Sequence, residues 1–415
     1  MQLLFITGLL GVGFASYENQ KLLECHVLNK EQAKAFINLD VWSFNTEAKN
    51  LTIRTVDNSE LRLVQSKARC SVLEQDLSRV IDDRPLFQPT LKKAPSYRTA
   101  DQFFNNFQSY TTIRDYLKTR AAAHANIATF IPSIGKTHEG RDIFAFKIST
   151  PISKSPKKAI WVNGGLHARE WIAPTASVYL IHKLLTEANT SYVQNLLNVF
   201  DFHFTPLANP DGYEYSRTPG NRLWRKNRRQ ISGSVYGVDL NRNWDEHWGV
   251  IGSSTNPRTE TYQGPGANSE PEVRALAKYA LSISNRYGGI DVHSYGQYIL
   301  RNWGWTEKLS QNEKVLEPLG KLIQSAFKTK GYSYTTQTSA DLYPASGALD
   351  DWMAAKAGLV SFTFELCPTQ FDNNGFQLPP SQIVNCAEGF YAGFLTYAKY
   401  LAEHYDIPYN PPIAR

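Results

Sequence analysis

The sequence predicts an α/β domain on a mixed, largely buried sheet covered on both faces, preceded by a small α+β unit. Three observations carry this. Strand-like and helix-like runs alternate from residue 100 onward. Polar residues collect where the apolar runs end. The chain changes character near residue 90, in the basic, proline-containing stretch Arg84 to Arg98.

The elements follow in order. Leu3 to Phe14 is apolar, bounded by Gly13, Ala15 and Ser16, and too short to span a bilayer. It reads as a secretory signal peptide, residues 1–16. Leu22 to Leu28 and Leu51 to Val56 read as strands. Asn29 is placed to cap a helix over Lys30 to Ile37, with Gln32 as its third residue. Ser71, with Glu74 three residues on, forms a capping-box pattern for a helix over Val72 to Val80. Three prolines and a scatter of basic residues then mark an exposed linker open to a trypsin-like protease. Beyond it, Arg141 to Ile148, Ala159 to Val162, Val199 to Phe204, Gly289 to His293 and Val360 to Leu366 read as strands. Ala173 to Leu185, Glu270 to Ile283 and Ala387 to Ala402 read as helices.

Composition bounds the function. The 415 residues include 9 Trp, 22 Tyr and 21 Phe, enough for one large core and a smaller one. A formal charge of +6 is small at this length, and basic and acidic residues are interspersed, so neither nucleic acid nor a membrane surface is an expected partner. Arg222 to Arg229 is the densest basic run, and by itself it reads equally well as a solvated face. In a secreted chain the four cysteines are expected in disulfides, with pairing favoured within each half: Cys25 with Cys70, Cys367 with Cys386. Asn50-Leu51-Thr52 and Asn189-Thr190-Ser191 are glycosylation sequons that fit secretion.

Candidate chemistry sits at strand ends, where loops present side chains in sheets of this kind. After Ala159 to Val162, two glycines precede His167-x-x-Glu170, nitrogen and oxygen donors suited to zinc. That spacing alone also fits a surface histidine near a helix start. His293 closes a second apolar run, and Glu365 lies inside a third, Ser361 to Leu366, where a carboxylate is costly unless it serves a site. Asp239 to Trp244 clusters an acid, amides and a guanidinium.

Together, His167-x-x-Glu170, Arg222-Leu223-Trp224-Arg225-Lys226, Asp239-Leu240-Asn241-Arg242-Asn243-Trp244, His293-Ser294-Tyr295, Tyr343 with Gly347 to Trp352, and Phe362 to Leu366 resemble the A/B subfamily of zinc metallocarboxypeptidases, in its order and at roughly its spacing. The likeness runs from about residue 100 to the C-terminus. It implies a mixed eight-stranded sheet flanked by helices and, before it, a small α+β activation domain. The implied plan is a signal peptide over 1–16, an activation domain over 17–85, a linker and cleavage region over 86–98, and a catalytic domain over 99–415. It also implies one zinc ion held by His167, Glu170 and His293, with a fourth position for water. Asp239 would orient a ligand histidine, Glu365 would be the general base, and Arg225 would stabilise the oxyanion. Arg242, Asn241 and Tyr343 would hold the substrate's terminal carboxylate. Arg169 would bind it in passing, and Ser294, Tyr295 and Phe376 would line outer subsites.

Specificity rests on Gly347-Ala348-Leu349-Asp350-Asp351-Trp352, a departure from the Gly-Gly-Ser the family often carries there. The position matching the pocket floor is Asp350, and an aspartate there implies B-like removal of C-terminal Lys or Arg. In the competing reading Asp350 faces solvent. The expected protein is therefore a secreted, monomeric, digestive procarboxypeptidase. Its expected partners are peptides ending in Lys or Arg, a trypsin-like activator and proteinaceous inhibitors. An A-like or broad enzyme and an inactive peptide-binding homologue are the alternatives.

Overall fold

The computed structural model describes residues 17–29, 32–33, 35–36, 39–45, 49–81, 100–151, 156–369 and 375–404. The expected signal peptide and the linker with its cleavage region lie outside them, as do Lys30, Glu31, Lys34 and Ile37 of the helix expected over Lys30 to Ile37. At the start of that helix Asn29 Oδ1 does accept from the Gln32 N–H at 2.9 Å.

A small N-terminal sheet comprises β1 (Lys21–His26), β2 (Asp40–Asn45), β3 (Asn50–Thr55) and β4 (Arg69–Glu74), in the order β2-β3-β1-β4. Here one expectation fails. Residues 72 to 74 are strand, and only a short 3₁₀ turn follows, at Leu77–Arg79. The ladder to β1 places Cys70 opposite Cys25, and the two are joined by a disulfide. Pairing and crosslink outweigh the local capping signal at Ser71. Asp76 caps the turn instead, accepting from Ser78 N. The helix Asn58–Lys67, capped by Asp57, was not expected. It buries only Val64, so it offers no apolar period to read.

The larger sheet has eight strands: β5 (Ala128–Lys136), β6 (Asp142–Ile148), β7 (Lys158–Gly164), β8 (Phe200–Thr205), β11 (Arg286–Gly296), β12 (Tyr298–Arg301), β13 (Thr335–Thr338) and β14 (Val360–Thr369). A separate ribbon pairs β9 (Gln230–Ser232) with β10 (Val235–Tyr236). The large sheet runs β13-β12-β14-β11-β7-β8-β6-β5. Its four central strands, β14, β11, β7 and β8, are mutually parallel. Central parallel strands are buried on both faces, which is why they read as nearly continuous apolar runs. From β7 the chain passes to β8 on one side and later to β11 on the other. A crevice therefore opens beyond the carboxyl ends of β7 and β11.

The helices Ile172–Thr186, Glu313–Lys328 and Ile383–Glu403 cover one face, within a core that includes Phe202, Ile290, Phe362, Phe364 and Phe394. The helices Pro271–Ser282 and Leu349–Ala355 contribute to a second core with Trp161, Trp244 and Trp352. The second disulfide, Cys367–Cys386, ties β14 to the last helix. Both pairings within halves are as expected. No helix among the described residues is long and apolar enough to cross a membrane.

The two units share cores. Leu23, Phe44, Ile53 and Val64 of the N-terminal domain cluster with Tyr298, Leu300 and Leu342 of the larger one. Tyr17, Trp42 and Leu77 cluster with Leu223, Tyr295 and Phe376. Strand β2 is thereby laid over the crevice.

Candidate active site

Strand register builds the centre. In β11, Asp291 and His293 are two apart and so point to the same side of the sheet. His293 is the register partner of Glu365 on β14, and Asp291 of Asn163 on β7. His167 and Glu170 arrive in the turn between β7 and the helix Ile172–Thr186. Gly165 takes φ +73° in that turn, a conformation that favours glycine.

The donors converge. Glu170 Oε1 lies 2.8 Å from His167 Nδ1, and its Oε2 lies 2.9 Å from His293 Nδ1. The two Nδ1 atoms are 3.1 Å apart. Each ring's other nitrogen already faces a carboxylate: His167 Nε2 meets Asp239 Oδ1 at 3.1 Å, and His293 Nε2 meets Asp291 Oδ2 at 2.7 Å. An imidazole that donates through Nε2 presents a lone pair at Nδ1. Two such lone pairs and a carboxylate aimed at one point are a fitting donor set for a zinc ion. His167, Glu170 and His293 are all buried.

Charge explains the titration behaviour. Burial alone would raise the Glu170 carboxyl, but His167 and His293 outweigh it and hold it below the usual carboxylate range. For Asp239, Arg225 and His167 likewise overcome burial and hold it well below that range. Burial opposes protonation of His293, yet Asp291 and Glu170 raise it well above its ordinary value. Glu365 keeps a partly accessible face, but the protein around its carboxyl pushes it up to about 8, with burial the largest cause.

The remaining candidates surround this centre. Arg225 Nη2 donates to Asp239 Oδ2 at 2.9 Å, and its Nη1 lies 4.0 Å from Glu170. His167, Arg169, Glu170, Arg225, Asn241, Ser294, Tyr295, Tyr343, Glu365 and Phe376 line one cleft, together with Val41, Trp42 and Ser43 of β2. An adjoining cavity is lined by Asn241, Arg242, Tyr343, Asp350 and Glu365, with Leu300, Ser339, Leu342, Ala345 and Ala348 among its walls. Arg242 is anchored by Nε to Gly252 O and by Nη1 to Asn241 O. Gly347 packs against it: φ is +69°, and a Cβ there would fall 2.6 Å from Arg242 O.

The two aspartates separate cleanly. Asp351 is fully buried and accepts from Gly304 N at 3.0 Å and Trp305 N at 3.1 Å, so it anchors a loop. Asp350 is also buried, and it faces the cavity rather than bulk solvent.

These chemical features agree with the comparisons. A family profile described as zinc carboxypeptidase matches residues 113–393. The chain belongs to the zinc carboxypeptidase family. It is a peptide hydrolase of the A/B type, and zinc is its cofactor. It is 34% identical over 316 residues to human carboxypeptidase A1, covering 74% of this chain and 73% of that protein. It is 34% identical over 322 residues to zinc carboxypeptidase A 1 of Anopheles gambiae, covering 76% and 72%. The crystal structure of carboxypeptidase A from Helicoverpa armigera superposes with a TM-score of 0.83 at 27% identity, covering 94% of this chain and 99% of that one. Bovine thrombin-activatable fibrinolysis inhibitor, solved in complex with tick carboxypeptidase inhibitor, gives 0.65 at 29% identity, covering 72% and 99%.

Three contributors escaped the sequence reading. Asp291 had a usable signal, since period two in a strand puts it beside His293. Asp40 had none: it reaches the site from the other domain, with Arg169 Nη2 donating to its Oδ1 at 2.8 Å and Nη1 to its Oδ2 at 3.1 Å. Arg222 holds Phe376 through the backbone carbonyl of that residue and also donates to Arg169 O at 2.8 Å.

Metal uptake should displace protons. In the metal-free protein His293 binds its proton more tightly than when unfolded; that stabilisation is complete below the ordinary imidazole value and is lost as pH rises through the raised one. A ligand ring must be neutral, so zinc binding at neutral pH should release a proton from it. Calorimetric titration of the metal-free enzyme in two buffers of different ionisation enthalpy should give different apparent heats. Equal heats would contradict the ligand assignment.

Proposed function

We propose that this chain is a secreted, monomeric procarboxypeptidase of digestive type that removes C-terminal Lys or Arg once its N-terminal domain is cut away. The carrying observation is that Asp350, Arg242 and Glu365 line one cavity. A carboxylate that can neutralise a side chain, a guanidinium that can hold a terminal carboxylate and a base thus face a common space.

His167, Glu170 and His293 would hold the zinc, with Asp239 and Asp291 fixing the tautomers of the two rings. Zinc, when bound, supplies a Lewis acid that acidifies water and polarises the scissile carbonyl. Glu365 takes the proton from the attacking water and passes it to the leaving amine; its carboxyl, largely enclosed yet lining the cleft, is placed for both tasks. Arg225, kept cationic by Asp239, is aimed to stabilise charge developing on the carbonyl oxygen. Arg242 offers the planar fork for the terminal carboxylate, with Asn241 and Tyr343 beside it. Arg169 lies on the approach, and Ser294, Tyr295 and Phe376 line the cleft beyond.

A second reading has its own support. Three of the four relatives above are named carboxypeptidase A, and Leu300, Leu342, Ala345 and Ala348 would suit an aliphatic or aromatic side chain. Burial raises Asp350, which weakens its claim to be charged. The same apolar wall equally suits the aliphatic stem of a Lys.

The zymogen reading rests on Asp40. Burial opposes ionisation of Asp40, but Arg169 and Arg54 outweigh it and hold its carboxyl below the usual range. Trp42 packs edge-on to Phe376 at 5.3 Å, and Leu223 N–H donates to Tyr17 Oη at 3.0 Å. The N-terminal domain therefore occupies the cleft with charge and apolar contact together. Activation is assigned to a trypsin-like cut between Lys92 and Arg98. The inhibitor complex of the bovine relative supports proteinaceous inhibitors as further partners.

Glu365→Gln should retain zinc while turnover falls by roughly 10²–10⁴-fold; near-normal turnover would remove it as the base. Asp350→Ile should lower kcat/KM on C-terminal Lys and Arg by at least about 10²-fold and raise it on Phe. An unmodified enzyme that already prefers Phe would end the Lys/Arg reading. Asp40→Asn should raise the activity of the uncut chain on a small peptide by about 10-fold or more, since half of a buried ion pair is lost. An uncut chain equally silent with either residue would show that this pair does not hold the cleft closed.

A further inference from the structure

Asp350 does not stand alone on its wall of the cavity. Ser339 opens the short helix Ser339–Leu342, and its Oγ donates to Asp350 Oδ2 at 2.6 Å. From the other side, the Asp351 N–H donates to Asp350 Oδ1 at 2.9 Å. The carboxylate is thus gripped at both oxygens. The helix carrying Ser339 is itself pinned, because Thr338 and Asp341 form a reciprocal capping box at its start. A serine hydroxyl has one hydrogen. Directed at Asp350, that hydrogen leaves Oγ as an acceptor in a cavity that Ser339 also lines.

We propose that Ser339 is a specificity-determining positioning residue: it fixes the Asp350 carboxylate on the cavity wall and, beside it, presents a second acceptor oxygen to the cationic head of a Lys or Arg side chain. This rests on the reading of Asp350 as the charge partner of the substrate. A pocket for apolar side chains gains nothing from a buried carboxylate with an oriented donor. A cation gains two oxygens 2.6 Å apart, with Leu300, Leu342, Ala345 and Ala348 left for its stem.

The same contact affects ionisation. Burial raises Asp350, and Asp291 on β11 adds to this; the Ser339 hydroxyl, the Asp351 N–H and His293 act the other way. Loss of the Ser339 hydroxyl therefore favours the protonated carboxyl, which cannot pair with a cation.

The test uses the full chain after limited trypsin treatment and three peptides differing only in a C-terminal Lys, Arg or Phe. Ser339→Ala should lower the Lys-to-Phe and Arg-to-Phe ratios of kcat/KM by roughly 10-fold, the scale of a hydrogen bond to a charged group. The loss should fall mainly on KM, and the acid limb for the Lys peptide should move to higher pH. Ser339→Thr, which keeps the hydroxyl, should restore most of the ratio. Ratios unchanged in Ser339→Ala, or Lys and Phe activities falling together, would overturn the inference and leave the Asp350 reading standing. If the unmodified enzyme prefers Phe, the Asp350 reading falls and this one with it.

Discussion

The constraint on which the site depends is an excess of buried negative charge. Glu170, Asp239 and Asp291 are shut away from solvent, and the Glu365 carboxyl is largely enclosed beside them. Facing them are one guanidinium, Arg225, and two imidazoles. Carboxylates removed from water are costly without compensation. Without a metal the balance is struck with protons, which is why His293 holds one tightly and Glu365 titrates high. A dication at the meeting point of His167, Glu170 and His293 would strike it differently, returning protons to solvent and leaving Glu365 ionised to act as a base. Metal affinity, base strength and the stability of the centre are then set by the same few charges.

Much of this was legible because the central strands are parallel and buried. Runs such as Ala159 to Val162 and Val360 to Leu366 read as buried strands, and a lone Glu365 inside one stood out for its cost. The ends of β7, β11 and β14 were therefore found together with the residues they carry. β13, at one edge, and β12 beside it were not. β13 is Thr-Thr-Gln-Thr and β12 has four residues, so neither shows a period long enough to read. Ser71 and Glu74 misled because a local cap cannot reveal a long-range ladder to β1. Asp40 was beyond sequence reasoning: its meaning comes from Arg169, 129 residues away.

The N-terminal domain is integrated into the cleft, not merely tethered near it. Leu300 and Leu342 belong both to its core and to the wall of the cavity that holds Asp350. Phe376 meets both Trp42 and Tyr295, and the Arg169 guanidinium lies 4.1 Å from its ring centre. Whatever displaces β2 must therefore expose apolar surface and separate a buried ion pair at once. Cutting the chain alone supplies neither; it removes only the entropic advantage of the tether.

A row of hydrogen bonds crosses the sheet beneath the candidate metal site. Trp161 Nε1 donates to Thr205 Oγ1, which donates to Asn163 Oδ1; Asn163 Nδ2 donates to Asp291 Oδ1, and Asp291 faces His293. These are core positions on β7, β8 and β11, where apolar residues would ordinarily pack as well or better. Their polarity makes the interior of this protein partly a wiring layer. A drift toward a greasier core, harmless in most folds, would here alter the basicity of the His293 ring several residues away. Such positions will resist stabilising redesign, and a transplanted His-x-x-Glu turn will inherit little of the chemistry unless the strands beneath it come along.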